Sequence, residues 1–123
     1  MTVMLELRAV LSAQPEQVAH ARHLVAEYLN MSGDSEIAVL LVSELVTNAI
    51  VHGGSSCELR AQQTRGGLRV EVHDQNPESA PILNAGPPLN ESGRGLQLVD
   101  TLADRWGWTE NDHGKFVWFE IDE

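Results

Sequence analysis

Glu44, Asn48 and His52 stand four residues apart, so on a helix they line one stripe. A carboxylate and an amide one turn apart suit chemistry at a hydrated cation or an attacking hydroxyl. Asn48 offers a neutral oxygen of the kind Mg²⁺ takes beside the waters it retains. Glu44 could orient a water or accept a hydroxyl proton. A solvated polar face is the plainer reading of such a stripe. Against it stands the preceding run Ile37-Ala38-Val39-Leu40-Leu41-Val42, which is apolar all round and predicts a helix largely enclosed by protein. Polar groups on an enclosed helix need partners, and a ligand rich in oxygen would supply them. His52 reads as a helix-end hydrogen-bonding residue.

Three further places could carry chemistry. Asp74 follows a strand pattern and precedes a proline-bearing loop. It is either a turn-former with its carboxylate on nearby amides or an acceptor for an exocyclic amine. Gly93-Arg94-Gly95-Leu96 leads from a long loop into a helix. Glycines there admit a close ligand, and the N–H groups of a first helical turn favour phosphate. Arg94 adds a positive charge. No Gly-Lys-Ser/Thr follows, so this is not a P-loop. Lys115 succeeds the turn glycine Gly114 and either reaches a phosphate or is a surface charge.

The elements that must position these residues are legible from periodicity. Leu5 to Leu11 alternates as a half-buried strand. Pro15-Glu16 opens a helix to about Asn30, with Val18, Ala21, Leu24, Val25 and Leu29 on one face. Met31 to Asp34 is a turn. Asp34 or Ser35 caps a second helix running to about His52, stopped by Gly53-Gly54. Strands are expected at Cys57–Gln63 and Leu68–His73, joined through Arg65-Gly66-Gly67. From Asp74 to Ser92 the chain carries four prolines and no period, which is the mark of a lid or binding loop. A short helix over Gly95–Ala103 and strands at Arg105–Thr109 and Lys115–Ile121 complete the chain, with Trp106, Trp108 and Trp118 read as core packing. Strands grouped as hairpins predict an α+β two-layer sandwich, with helices on one face of a mostly antiparallel mixed sheet.

Bulk properties narrow the function. At 123 residues the chain is expected to form one domain. Its net charge of −10 opposes direct nucleic-acid binding and contact with anionic membranes. Without a membrane-length apolar run or a signal-peptide pattern, a cytoplasmic location is expected. The single cysteine, Cys57, fits a reducing compartment and reads as a strand residue rather than a reactive thiol.

Taken together, these segments resemble the histidine-kinase-like (GHKL, Bergerat-fold) ATPase family, and within it the anti-sigma-factor serine kinase branch of actinobacteria. Glu44-Leu45-Val46-Thr47-Asn48-Ala49-Ile50-Val51-His52 looks like its N box. Val70-Glu71-Val72-His73-Asp74 looks like the strand into its G1 box, and Glu91-Ser92-Gly93-Arg94-Gly95-Leu96-Gln97-Leu98-Val99 like its G2 box. Leu102 to Gly107 and Gly114 to Trp118 look like the branch's C-terminal end. The resemblance implies one ATP-binding domain over residues 1–123 with a lid at about 75–92. It implies Asn48 on Mg²⁺, Glu44 as catalytic base, and Asp74 on the adenine amine. Gly93, Arg94 and Gly95 would hold the phosphates; Leu96, next in that motif, and Lys115, on its own position, are further candidates for cofactor binding. It also implies a protein serine kinase that binds a sigma factor, phosphorylates a serine of an antagonist protein, and pairs as a homodimer. The alternative is a nucleotide-binding or interaction module without turnover. One departure favours that alternative: the broader family continues G1 as Asp-x-Gly-x-Gly, whereas this chain reads Asp74-Gln75-Asn76-Pro77-Glu78.

Overall fold

The computed structural model describes residues 6–29, 35–64, 66–75, 91–111 and 114–122, with the backbone alone described at 35, 52, 91–96 and 111. The Met31–Asp34 turn and residues 76–90 of the expected lid lie outside this set.

Among the described residues, five strands and three α-helices follow one another: β1 (Glu6–Leu11), α1 (Glu16–Leu29), α2 (Ser35–Thr47), β2 (Cys57–Thr64), β3 (Gly67–Asp74), α3 (Glu91–Leu102), β4 (Arg105–Asn111) and β5 (Gly114–Asp122). The strands form one sheet in the order β1-β2-β3-β5-β4. All four ladders are antiparallel, so the sheet is narrower in kind than the mixed one expected. The hairpins β2–β3 and β4–β5 account for two of these pairings. Insertion of β3 beside β5 joins them and needs the α3 excursion between.

Side-chain parity sorts the two faces. Leu68, Val70, Val72 and Asp74 of β3 point one way, with Val117, Phe119 and Ile121 of β5 buried beside them. Against this face lie Ala21, Val25 and Leu29 of α1 and Ala38, Leu41, Val42, Leu45 and Val46 of α2. Phe119 is the largest wholly buried side chain among the described residues. Removing it from water contributes about 1.5–3 kcal/mol. This is the expected two-layer α+β sandwich.

The other face carries half-buried ion pairs. Arg69 contacts Glu71 and Glu120 while its guanidinium lies 4.4 Å from the Trp118 ring centroid. His73 stacks on Phe116 and meets Glu71 at 2.7 Å. Hydrogen bonds from Arg105 and Arg69 hold the Glu120 carboxyl below its ordinary range. Burial pushes Glu71 upward, but donors on His73 and Arg69 outweigh it and its pKa is also lowered.

Two expectations need correction here. Trp118 is opposite Gly107 and shares the outer face, whereas Trp106 pairs with Phe119 and packs toward the helices. Adjacent residues on a strand face opposite ways, so the three indoles do not form one core cluster. Nor is α2 enclosed on all sides: Ile37 and Leu40 are 36% and 39% exposed. Sheet, α1 and α3 cover the remaining faces of the helix and leave one stripe outward.

Candidate functional site

That outward stripe is the one on which Glu44 and Asn48 stand, both half-buried. The helix does not run on as an α-helix to His52. At Asn48 it widens into a π-helical turn, Asn48–His52. Thr47 prepares the change: its hydroxyl donates to the Ser43 carbonyl at 2.6 Å, a back-bond that competes with the helical ladder. The Gly53 N–H then closes on the Asn48 carbonyl at 2.8 Å, and the Ser55 N–H on the Ala49 carbonyl at 3.1 Å. A side chain at Gly53 would meet the Ala49 carbonyl oxygen at 2.7 Å, so the turn closes only around glycine. π-turns inside helices recur at functional positions.

Ser55 also ties this turn to the end of β3, because its Oγ accepts the Gln75 N–H at 3.2 Å. Asn48 and Asp74, 26 positions apart in the numbering, are thereby anchored to one short segment. Asp74 is the last residue of β3, not a loop residue after it. Its carboxylate is buried and meets the Lys115 ammonium at 2.9 Å across the β3–β5 ladder. Side-chain exposures of 5% and 6% make this an ion pair removed from water. Lys115 is therefore not a solvated surface charge. Parity explains it: Lys115 shares the inward face with Val117, Phe119 and Ile121.

The neighbouring chain is built to admit this pair. Gly114 has φ +154°, and a Cβ there would lie 1.9 Å from the Asp74 carbonyl oxygen. Only glycine lets β5 begin so close to the end of β3. On the other side Cys57 pairs with Asp74 in the β2–β3 ladder. Burial, reinforced by the Asp74 charge, pushes its thiol up to about 12, so it is inert as a nucleophile. A cleft of about 280 Å³ opens at this strand end, lined among the described residues by Val10, Ser56, Cys57, Glu58, His73, Asp74 and Gln75. Its volume is below the roughly 300–1,000 Å³ of small-molecule pockets, and neither Glu44 nor Asn48 borders it.

Gly93, Arg94 and Gly95 are not a turn before a helix. Helical backbone starts at Glu91, which puts both glycines within the first turn and a half of α3. Each glycine costs about 1 kcal/mol relative to alanine in a helix. The first four backbone N–H groups of any helix lack intrahelical acceptors, so this terminus keeps the donors an anion needs. Leu96 lies in the next turn. The structure thus joins the Asn48–His52 turn to Gln75, the residue after Asp74, through Ser55, and Asp74 to Lys115 directly. Thr47, Gly53, Ser55 and Gly114 were not singled out from sequence as site-forming. A threonine one residue before the Asn and a glycine where the helix ends were the only local signals available.

The described residues thus form a two-layer α+β sandwich with an acid–amide stripe on its second helix and a buried carboxylate at a strand end. The profile of the histidine kinase-like ATPase domain matches residues 11–121, and the chain belongs to that family. ATP is the ligand that this ATPase domain implies. The chain is 39% identical over 71 residues to uncharacterized protein SCO4941 of Streptomyces coelicolor, covering 54% of this chain and 67% of that protein. Among solved structures it resembles the RsbU and RsbW domains of Rv1364c from Mycobacterium tuberculosis, with a TM-score of 0.72 at 19% identity. That match covers 96% of this chain but only 32% of the other. The histidine kinase domain of the Erythrobacter litoralis EL346 blue-light activated histidine kinase is similar too, with a TM-score of 0.56 at 23% identity, over 90% of this chain and 61% of that one. At these identities the likeness speaks for the fold. No helix among the described residues is long and apolar enough to cross a membrane.

Proposed function

We propose that this is an ATP- and Mg²⁺-binding regulator of the anti-sigma-factor kinase type, a cytoplasmic protein serine kinase acting on an antagonist protein. The observation that carries the reading is the outward stripe of α2, where half-buried Glu44 precedes Asn48 at the mouth of a π-turn anchored through Ser55 to the end of β3. The donor set fits the group. A buried carboxylate at Asp74 suits an exocyclic amine, an amide oxygen at Asn48 suits Mg²⁺, and the α3 terminus offers backbone N–H groups to phosphate. Such local donors offset a net charge of −10 that would otherwise repel an anionic ligand.

Bound ATP supplies the transferable phosphoryl group. Glu44 accepts the proton of the substrate serine hydroxyl, a role for which its place one turn from Asn48 fits. Asn48 contributes a neutral metal ligand. Gly93, Arg94, Gly95 and Leu96 serve the phosphates of one domain spanning 1–123. The partners on this reading are a sigma factor and a serine-bearing antagonist, with a second copy of the chain as homodimer. The likeness to a chain holding RsbU and RsbW domains, and a Streptomyces relative, support a partner-switching role of the actinobacterial type.

The test is phosphate transfer from ATP to a purified serine-bearing antagonist. Transfer is expected, and Glu44→Ala or Asn48→Ala should abolish it while leaving the fold intact by circular dichroism. Transfer that survives both changes sinks the assignment. A second reading, a nucleotide-binding module without turnover, draws on the missing glycines after Asp74. Calorimetry that detects ATP binding, alongside an assay that detects no transfer, would favour it.

A further inference from the structure

We infer that the outer face of the sheet, opposite the helices, is a docking surface whose occupant is a second copy of this chain. The reading above names such a copy without giving it a surface. Charge carries the choice of face. The chain nets −10, with 18 carboxylates against 8 cations, so two copies repel wherever acid meets acid. Side-chain parity places Arg8, Arg60, Arg69 and Arg105 on the outer face, half of all the cations in the chain. Glu6, Glu58, Glu71, Glu120 and Asp122 stand among them. These groups net −1, which leaves −9 to the rest of the chain. On this face alternating signs let acid meet base between identical molecules. A basic partner is drawn instead to the acidic remainder, and an acidic one finds no net positive charge here.

The make-up of the face also fits an interface. All four of its cations are arginines, whereas the one lysine of the chain is buried on the helix side. Interfaces favour arginine and aromatic side chains and disfavour lysine. Trp118 lies under the Arg69 guanidinium, and Phe116 stacks with His73, so aromatic rings occupy β5 and its neighbour. Val10 is 76% exposed, the most exposed of the described large hydrophobic side chains. It begins the cross-strand row that continues through Glu58 and His73 to Phe116. A depression of about 180 Å³ between Arg60, Gln62, Arg69 and Glu71 leaves room for a protruding side chain. Arg60, Arg69 and Arg105 are already held by carboxylates of the same face, so they lose little freedom on association. Five strands of six to nine residues make a plane of roughly 550 Å² before side-chain relief is counted. That is the scale of the roughly 800 Å² per partner in standard interfaces. Glu44 and Asn48 stand on the helix layer, so a dimer joined through this face leaves both stripes open.

The test reads mass in solution, by size-exclusion chromatography with light scattering over a dilution series and without nucleotide. The full chain is compared with Val10→Glu, Arg8→Glu and, as control, Ala26→Glu. All three positions are exposed, the first two on the outer face and the third on α1, and circular dichroism checks each fold. Val10→Glu charges the apolar spot without vacating core. Arg8→Glu breaks only an exposed ion pair, which contributes little to the fold, and unbalances the face. The native chain should show twice the mass of one chain and fall to that of one chain on dilution. A two-fold axis applies each change twice, so either face variant should weaken association by at least about tenfold. Ala26→Glu, which adds its charge on the helix side, should associate as the native chain does. A native chain that stays monomeric at millimolar concentration overturns the inference. So does a dimer that both face variants leave intact. Calorimetry with ATP keeps the parent reading separate: a monomer that binds ATP removes this inference alone, and a dimer that binds none removes only that reading.

Discussion

Replacing Lys115 by methionine keeps most of the side chain's bulk, deletes the ammonium and leaves the Asp74 carboxylate in a place where 5% of its surface meets water. At 2.9 Å two unit charges attract by about 6 kcal/mol with an effective dielectric of 20. Dehydrating each ion costs several kcal/mol, so the intact pair contributes little net stability. Breaking it is another matter, because one dehydration cost remains without the Lys115 attraction to offset it. Lys115→Met should therefore destabilise the fold by about 3–5 kcal/mol. That is a large share of the roughly 5–15 kcal/mol by which folded domains are stable. Asp74→Asn/Lys115→Met, which removes both charges, should lose far less than the sum of its single changes. The assay is urea unfolding followed by tryptophan fluorescence. With a denaturant slope of about 1–3 kcal/mol/M, the single change should lower the midpoint by about 1 M or more. A shift under about 0.3 M, or a double variant whose loss equals the sum of the two singles, would refute the picture of a dry, mutually dependent pair.

Two other consequences follow from the same end of the sheet. Gly53→Ala should open the π-turn, since its Cβ would collide with the Ala49 carbonyl oxygen. A loss of about 1–3 kcal/mol in urea unfolding and at least tenfold weaker ATP binding are expected, and wild-type values for both would show that the turn does not position Asn48. The Cys57 thiol should resist iodoacetamide at pH 8 until the protein is unfolded. Its folded pKa of about 12 lies above the ordinary value of 9.0, so its contribution to stability is full below pH 9 and is lost as pH rises toward 12. Cys57→Ala should flatten that alkaline decline in stability, and rapid alkylation of the native thiol at pH 8 would contradict its burial.

Much of the fold was legible because its signals are local. Alternation marked β1, β2, β3 and β5 to within one or two residues, and the stripe of Ala21, Val25 and Leu29 marked α1. The burial of Asp74 and Lys115 was not read from the sequence, which left Asp74 after the strand and Lys115 open as a surface charge, although each continues the inward-facing series of its strand. The N-terminal reach of α3 was not legible, because two glycines and a serine argue locally against helix and the backbone is helical there all the same.

The residue types at Glu44, Asn48 and Asp74, and their spacing on helix and strand, were determined by the sequence alone, because helical and strand periods are properties of the chain's own covalent geometry. Only the tertiary structure decided that the strand ending at Asp74 would lie beside the strand beginning at Gly114. That pairing joins residues far apart in the chain, and no local preference encodes it. Packing likewise decided which side of α2 stays outward and that the helix loosens at Asn48, where the Thr47 hydroxyl and the Gly53 amide redirect the backbone hydrogen bonds. Chemistry at single positions was written in one dimension. The low-dielectric partnership of a lysine with a carboxylate exists only once the sheet has closed around it.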